Sequence, residues 1–236
     1  MQLFYHPDIE NHTLEFTFPA DESRHITKVL RKKSGDILQI TNGRGGLYQA
    51  EIVLPDHKKC VAKIISRRTK APLPYQLHLV VAPTKLNDRF EWFLEKATEI
   101  GIHEITPIIC DRSERKAIKM ERMEKVVQSA MKQSLHTYLP KLNGAISFQD
   151  YMELPKEGDL FIAHCGEEYR QELFHCLSPR RNTVILIGPE GDFSMDEINM
   201  ALSKGFRAVA LGEARLRTET AAIVACNTVS MVNLSK

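Results

Sequence analysis

After about residue 75 the sequence carries five short runs in which almost every residue is apolar, and no other feature restricts the fold as much. They are Leu77-His78-Leu79-Val80-Val81-Ala82, Ile105 to Ile109, Leu160 to Ala163, Thr183 to Ile187 and Ala208 to Leu211, all short and rich in Val or Ile. A strand with one wet face alternates apolar and polar residues, whereas a strand apolar throughout needs cover on both faces. Helical patterns separate most of these runs. Phe90, Phe93, Leu94 and Ala97 share one face, as do Met123, Val126, Val127, Ala130 and Met131. Strands and helices in alternation predict a parallel sheet covered on both sides, an α/β domain.

The first third has a different texture. Leu14 to Phe18 and Cys60 to Ile65 are largely period-two, Leu47 to Val53 is strand-like, and Gly43-Arg44-Gly45-Gly46 after Ile37 to Ile40 reads as a hairpin turn. A small β-barrel is expected. Between its strands a helix is predicted over Asp21 to Lys33, stopped by Gly35, with Ile26, Val29 and Leu30 on one face and Arg24, Lys28, Arg31 and Lys32 along another. That cationic stripe could grip phosphates or be a solvated face, and the pattern alone does not separate the two. Arg67 to Pro74 combines charge with two prolines and no apolar period, which marks a linker. The expected division is a barrel over residues 1–70 and an α/β domain over residues 74–236.

The whole chain is nearly neutral, with 32 Lys and Arg against 30 Asp and Glu, but residues 1–75 hold 12 basic and 8 acidic side chains. The first third is the basic part, as a nucleic-acid-facing module would be. No apolar run reaches the roughly eighteen residues of a membrane helix, and Met1 to Pro7 lacks a secretory pattern; no membrane association and a cytoplasmic location are expected. The 5 cysteines are scattered and never in a Cys-x-x-Cys pair, which argues for reduced, mostly buried thiols and no metal.

Ligands of open parallel sheets bind beyond the carboxyl ends of the strands. Three loops stand there. In Ile187-Gly188-Pro189-Glu190-Gly191-Asp192-Phe193, Ser194 and Glu197 have capping-box spacing and Phe193 and Ile198 that of a hydrophobic staple, with Gly205 ending the helix. Glu190 is not needed for the cap, so it is either functional or an exposed turn acid. In Leu211-Gly212-Glu213-Ala214-Arg215-Leu216-Arg217-Thr218-Glu219-Thr220, Thr218 can cap the helix over Ala221 to Leu234 and Glu219 suits its dipole. Arg215 and Arg217 remain unexplained, since cations are disfavoured at a helix N-terminus. Ala163-His164-Cys165-Gly166-Glu167-Glu168 is the third loop. None matches a triphosphate, dinucleotide, zinc-protease or esterase signature.

The paired glycine loops and the Leu216-Arg217-Thr218-Glu219-Thr220-Ala221 run resemble the RsmE family, ribosomal RNA methyltransferases of the SPOUT superfamily acting on uridine N3. Arg24-His25, Val29-Leu30-Arg31, Gly35-Asp36, Glu95 to Gly101 and Arg112-Ser113 also match, so the resemblance spans essentially the whole chain. It implies a PUA-like RNA-binding barrel followed by a SPOUT α/β domain with a trefoil knot, and a homodimer. The helix over Ala221 to Leu234 is compatible with burial at a dimer interface or in an ordinary core. The resemblance further implies S-adenosylmethionine as cofactor, held by His164, Cys165, Gly166, Ile187, Gly188, Pro189, Leu211, Gly212, Leu216 and Thr218. The implied substrate is 16S rRNA of the small ribosomal subunit. Because uridine N3 must lose a proton, Glu190 is expected to assist its removal and Arg217 to hold the base or its developing charge. Arg24, His25, Lys28, Arg31, Arg112, His136 and Arg215 are the expected RNA contacts.

Three stretches depart from the family pattern. Asp192 stands where a second glycine is usual, Ala214-Arg215 replaces Arg-Ile, and Lys132 to His136 replaces Glu-Gln-Ser-Gly-Arg. The first leaves a pocket made mostly of backbone intact; the others make His136 and Arg215 candidates for the missing arginines. Two alternatives remain on the sequence: a SPOUT enzyme acting on another RNA site such as a tRNA ribose, and a non-catalytic RNA-binding or ribosome-assembly protein.

Overall fold

The computed structural model describes residues 2–166 and 171–234; Glu167 and Glu168 of the third loop lie outside them. The chain forms two compact units, Met1–Pro72 with Met131–Leu139, and Leu73–Ala130 with Pro140–Lys236.

The first unit is one five-stranded sheet. Its strands are β1 (Leu3–Tyr5), β2 (Glu15–Thr17), β3 (Ile37–Thr41), β4 (Gly46–Leu54) and β5 (Val61–Thr69), in the order β1-β3-β4-β5-β2. Alternation decides its faces: Leu38 and Ile40, Tyr48, Ala50 and Ile52, and Ala62 and Ile64 all point into one core with Phe4, Phe18 and Ile26. The sheet curls until its edge strands approach. His6 Nε2 lies 3.2 Å from the Thr17 carbonyl, and the rings of Phe4 and Phe18 are 5.8 Å apart. Gly43 and Gly45 have φ of 72° and 89°, so the β3–β4 turn uses the conformations that glycine adopts cheaply.

Two local expectations are corrected here. The helix is shorter than Asp21 to Lys33. It comprises α1 (Ala20–Arg24) and a wider π-turn over His25–Val29, in which Leu30 N–H donates to His25 O, and the chain leaves it with Arg31 at φ 54°. The extra residue in that turn breaks the 3.6 register, so Ile26 is buried but Val29 is 68% exposed. The linker is also shorter, because Arg67, Arg68 and Thr69 complete β5 opposite Tyr48, Leu47 and Gly46. The Met131–Leu139 segment joins this unit through the β3–β4 turn: Gly45 N–H and the Thr41 hydroxyl donate to Thr137 O, and Leu139 N–H donates to Gly43 O.

The second unit is the predicted parallel sheet. Its strands are β6 (Leu77–Val81), β7 (Glu104–Ile109), β8 (Lys141–Leu142), β9 (Ile146–Ser147), β10 (Asp159–Ala163), β11 (Gln171–Glu172), β12 (Thr183–Ile187) and β13 (Arg207–Ala210). The order is β11-β13-β10-β12-β6-β7-β8, with β9 also on β7, and every pair is parallel. The helices are α2 (Asn87–Ile100), α3 (Met120–Gln133), α4 (Phe148–Glu153), α5 (Leu173–Cys176), α6 (Met195–Ser203) and α7 (Thr218–Leu234). α7 packs on α2, β6 and β12. On a second core, Phe148, Tyr151 and Met152 of α4 and Ile198 and Ala201 of α6 cover Val80, Ile162 and Leu186. Every residue of β12 is buried, as an apolar run in a doubly covered sheet requires.

α4, α5 and the two-residue strands β8, β9 and β11 are too short to carry a period and were not expected. Of the thiols, Cys60, Cys110 and Cys226 are buried, Cys176 is intermediate and Cys165 exposed. No described helix is long and apolar enough to cross a membrane.

Two imidazoles tie stability to pH. Leu77 N–H donates to His103 Nδ1 at 3.3 Å, and His78 Nε2 lies 2.7 Å from the Thr106 hydroxyl. Burial holds both rings below the ordinary value of 6.5, against a smaller upward pull of Glu104 on His78. A ring whose folded value is depressed stabilises the fold fully above 6.5 and loses that contribution as pH falls below it, because the unfolded chain then binds the extra proton. The urea midpoint of the wild-type protein is therefore expected to drop between about pH 7.5 and 5. In a His78→Asn/His103→Asn protein that drop should be shallower, and an identical slope would refute the assignment.

Candidate cofactor and catalytic site

The parallel registers place three loops together. Ala163 pairs with Ile187 on one side and with Val209 on the other, so β10, β12 and β13 end at one level and their following loops converge. These are the three loops that the sequence singles out.

Each loop is held locally and by its neighbours. After β12, Asp192 N–H donates to Pro189 O, closing a tight turn over Pro189 to Asp192. The expected capping box then starts α6: Ser194 Oγ accepts from Glu197 N–H and Glu197 Oε2 from Ser194 N–H. Phe193 and Ile198 meet in the same core cluster, as the staple predicts. After β10, Cys165 N–H donates to Asp192 Oδ2 at 2.9 Å, tying that loop to the first. Gly166 N–H donates to His164 Nδ1.

After β13 the expected cap is corrected. Thr218 is the first residue of α7, and its hydroxyl donates to Gly188 O at 3.0 Å instead of capping the helix. The first regular turn of α7 closes with Ala221 N–H donating to Arg217 O. Glu219 sits in the first turn as expected, 3.8 Å from Arg89 Nε.

Two adjoining cavities lie among the loops. One of about 500 Å³ is lined by His164, Cys165, Leu211, Gly212 and Leu216, together with Arg112 and Arg215. The other, of about 300 Å³, is lined by Ile187, Gly188, Pro189, Glu190, Arg217 and Thr218. Cys165, Asp192, Arg215 and Leu216 belong to both walls. Glu190 and Arg217 thus share one cavity. Glu190 Oε1 accepts from Lys85 N–H at 2.9 Å, whereas its buried Oε2, like one oxygen each of Glu22, Glu91 and Glu219, has no hydrogen-bond partner among the described residues. A buried carboxylate oxygen without a donor is costly in a purely structural role and useful where a ligand supplies the proton.

The expected RNA contacts divide between the units. Arg24, His25 and Lys28 lie on α1 and the π-turn and Arg31 just beyond it, with Arg24, Lys28 and Arg31 exposed. His25 Nδ1 is 3.8 Å from Glu22, which Lys132 contacts at 2.6 Å, so the Lys132–Leu135 turn and His136 belong to the same unit as this stripe. Arg112 and Arg215 are in the other unit, on the larger cavity; Arg112 Nη1 donates to the carbonyls of Gly191 and Phe193. The structure adds Lys85, whose backbone orients Glu190. The same rule that pointed to the other loops could have found it, since Pro83-Thr84-Lys85 follows the first apolar run.

A family model for the RNA methyltransferase domain matches residues 71–230, and one for the RNA methyltransferase PUA domain matches residues 18–65. The chain is 33% identical to Ribosomal RNA small subunit methyltransferase E of Buchnera aphidicola subsp. Acyrthosiphon pisum, over 89% of this chain and 86% of that one. It belongs to the ribosomal RNA small subunit methyltransferase E family. Among solved members and relatives, a probable rRNA-methyltransferase from Porphyromonas gingivalis superposes with TM-score 0.92 at 40% identity, covering 99% of both chains. The Neisseria gonorrhoeae methyltransferase E bound to S-adenosyl methionine gives TM-score 0.89 at 27% identity, covering 99% of this chain and 98% of that one. In this family member the first unit is accordingly the PUA-like part and the second the methyltransferase part.

One of the bonds that hold the loops together is made by a buried hydroxyl, that of Thr218. Thr218→Val keeps the shape but leaves Gly188 O without its donor, and should lower the unfolding free energy in urea by about 1–3 kcal/mol. Thr218→Ser should recover most of that loss. A valine protein as stable as wild type would show that the bond does not hold the loops.

Proposed function

We propose that this chain transfers a methyl group from S-adenosylmethionine to N3 of a specific uridine in 16S rRNA of the small ribosomal subunit. The observation that carries the reading is the unpartnered Glu190 Oε2 on a cavity that also holds Arg217.

The cavities suit the cofactor. Gly212 has φ 124°, and a Cβ there would meet nothing within 4 Å, so the cavity wall is open where the backbone must be approached. Leu211, Leu216, Ala163 and Val209 offer apolar surface, while Asp192, Glu213, Arg112 and Arg215 can complement a zwitterionic, cationic ligand. His164 and Cys165 contribute from the third loop, where Gly166 N–H holds the His164 ring, and Ile187, Gly188, Pro189 and Thr218 from the other wall. When bound, the cofactor would supply a methyl carbon on a cationic sulfur, and transfer to N3 would leave the C–S electron pair on that sulfur.

The chain's own residues prepare N3. Lys85 N–H fixes one oxygen of Glu190 and leaves the other to take the N3 proton. Arg217, exposed on the same cavity, stabilises the charge that develops on the uracil oxygens. Arg24, His25, Lys28, Arg31 and His136 would position the RNA from the barrel, and Arg112 and Arg215 from the cavity rim. The chain following β13 would be threaded as a trefoil knot, with the apolar α7 at a homodimer interface, and the protein would act in the cytoplasm.

Purified protein incubated with labelled S-adenosylmethionine and small subunits lacking the modification should yield N3-methyluridine on nucleoside analysis. Glu190→Gln and Arg217→Ala should retain cofactor binding by calorimetry but lose about 10²- to 10⁴-fold in transfer rate. Another modified nucleoside would overturn the N3 assignment, and near-wild-type turnover would remove the variant residue from the mechanism.

A further inference from the structure

Asp192 is an unusual residue for its place. Its φ of 63° is left-handed, a region that glycine adopts freely and an L side chain only under strain. Aspartate is among the side chains that tolerate this region best, and here the carboxylate is well used. Oδ2 accepts from Cys165 N–H and Oδ1 from Phe193 N–H, each at 2.9 Å. The side chain therefore ties the loop after β12 to the loop after β10. It also lies on the wall common to both cavities.

The two hydrogen bonds come from neutral amides and do not cancel its charge. Among the described residues no ion pair involves Asp192, whereas Lys85 is paired with Glu114 and Glu219 faces Arg89. A half-buried carboxylate is held at the junction of the two cavities; Arg112 and Arg215 line the same walls, but neither forms an ion pair with it. Glu190 is the nearest comparable group, but it lies only on the smaller one.

We propose that Asp192 is a specificity-determining residue, whose carboxylate makes this site prefer the cationic S-adenosylmethionine over the product S-adenosylhomocysteine. The two ligands differ by a methyl group and by the positive charge on sulfur, so a fixed negative charge beside them acts on that difference. A fixed unit charge within a few ångströms of the sulfur, screened as it is near a protein surface, is enough for a several-fold preference. The tether to Cys165 keeps the carboxylate in place, so little reorganisation is needed when the ligand enters. The neutral product would bind less tightly and leave more readily.

Two variants separate charge from tether. Asp192→Asn removes the charge and keeps one amide oxygen for Cys165 N–H, giving up the acceptor for Phe193 N–H; Asp192→Gly removes charge and tether together and relieves the left-handed strain. Dissociation constants for both ligands are measured by calorimetry on the intact protein at low salt and at high salt. In the asparagine protein, binding of S-adenosylmethionine should weaken about 5- to 10-fold while that of S-adenosylhomocysteine changes less than about twofold. The glycine protein should show the same reduced preference, with both affinities lowered further by loss of the tether. High salt should narrow the wild-type preference more than that of either variant. An unchanged ratio in both variants would overturn the role of the charge, leaving Asp192 as a tether only. A wild-type protein that binds neither ligand would overturn the cofactor reading along with it.

Discussion

The site depends on the parallel register that ends β10, β12 and β13 at one level. With Ala163 between Ile187 and Val209, three loops far apart in the sequence emerge side by side. Parallel pairing makes this possible because every strand presents its carboxyl end to the same edge, and the crossing helices keep the chain off that edge. A one-residue slip of β12 would carry its glycine loop away from Thr218 and Cys165. It would also turn a fully buried strand against the helices on both faces, so the register is secured by packing on each side.

On that frame the loops are fixed to one another by few, short bonds. Thr218 Oγ1 to Gly188 O joins the second loop to the first, Asp192 Oδ2 to Cys165 N–H joins the first to the third, and Lys85 N–H to Glu190 brings in the loop after β6. The capping box at Ser194 and Glu197 holds the exit of the first loop, with Glu197 Oε1 also accepting from Asp111 N–H. A cavity preorganised in this way has little conformational entropy left to lose when a ligand binds. It also explains why Glu190 can retain a buried oxygen without a partner: its other oxygen is already held, so it cannot turn away to satisfy both.

Much of this was legible in residues with strong local preferences. The run Thr183 to Ile187 announced a doubly covered strand, Ser194 and Glu197 announced a capped helix, and Gly43 to Gly46 announced a hairpin, because each depends on neighbours a few positions away. The expectation failed where a long-range partner competes with a local one. Thr218 has the chemistry of an N-cap, but Gly188 O lies within reach of its hydroxyl and takes it instead. Arg67 to Thr69 look like a linker, but β4 is long enough to pair with them. The helix after Ala20 was overestimated because a π-turn leaves no mark in a 3.6-residue pattern.

By itself the sequence determined the two element types, their order, the three glycine-containing loops and the family resemblance, all of which reside in local pattern and motif. Only the tertiary structure decided that Glu190 shares a cavity with Arg217, that Lys85 orients it, and that Met131–Leu139 rejoins the first unit. It likewise decided that Asp192 lies on the walls of both cavities with no ion pair among the described residues. The reason is physical: strand order is set by which buried faces pack best across the whole sheet, and no spacing along the chain records which loops that packing brings together.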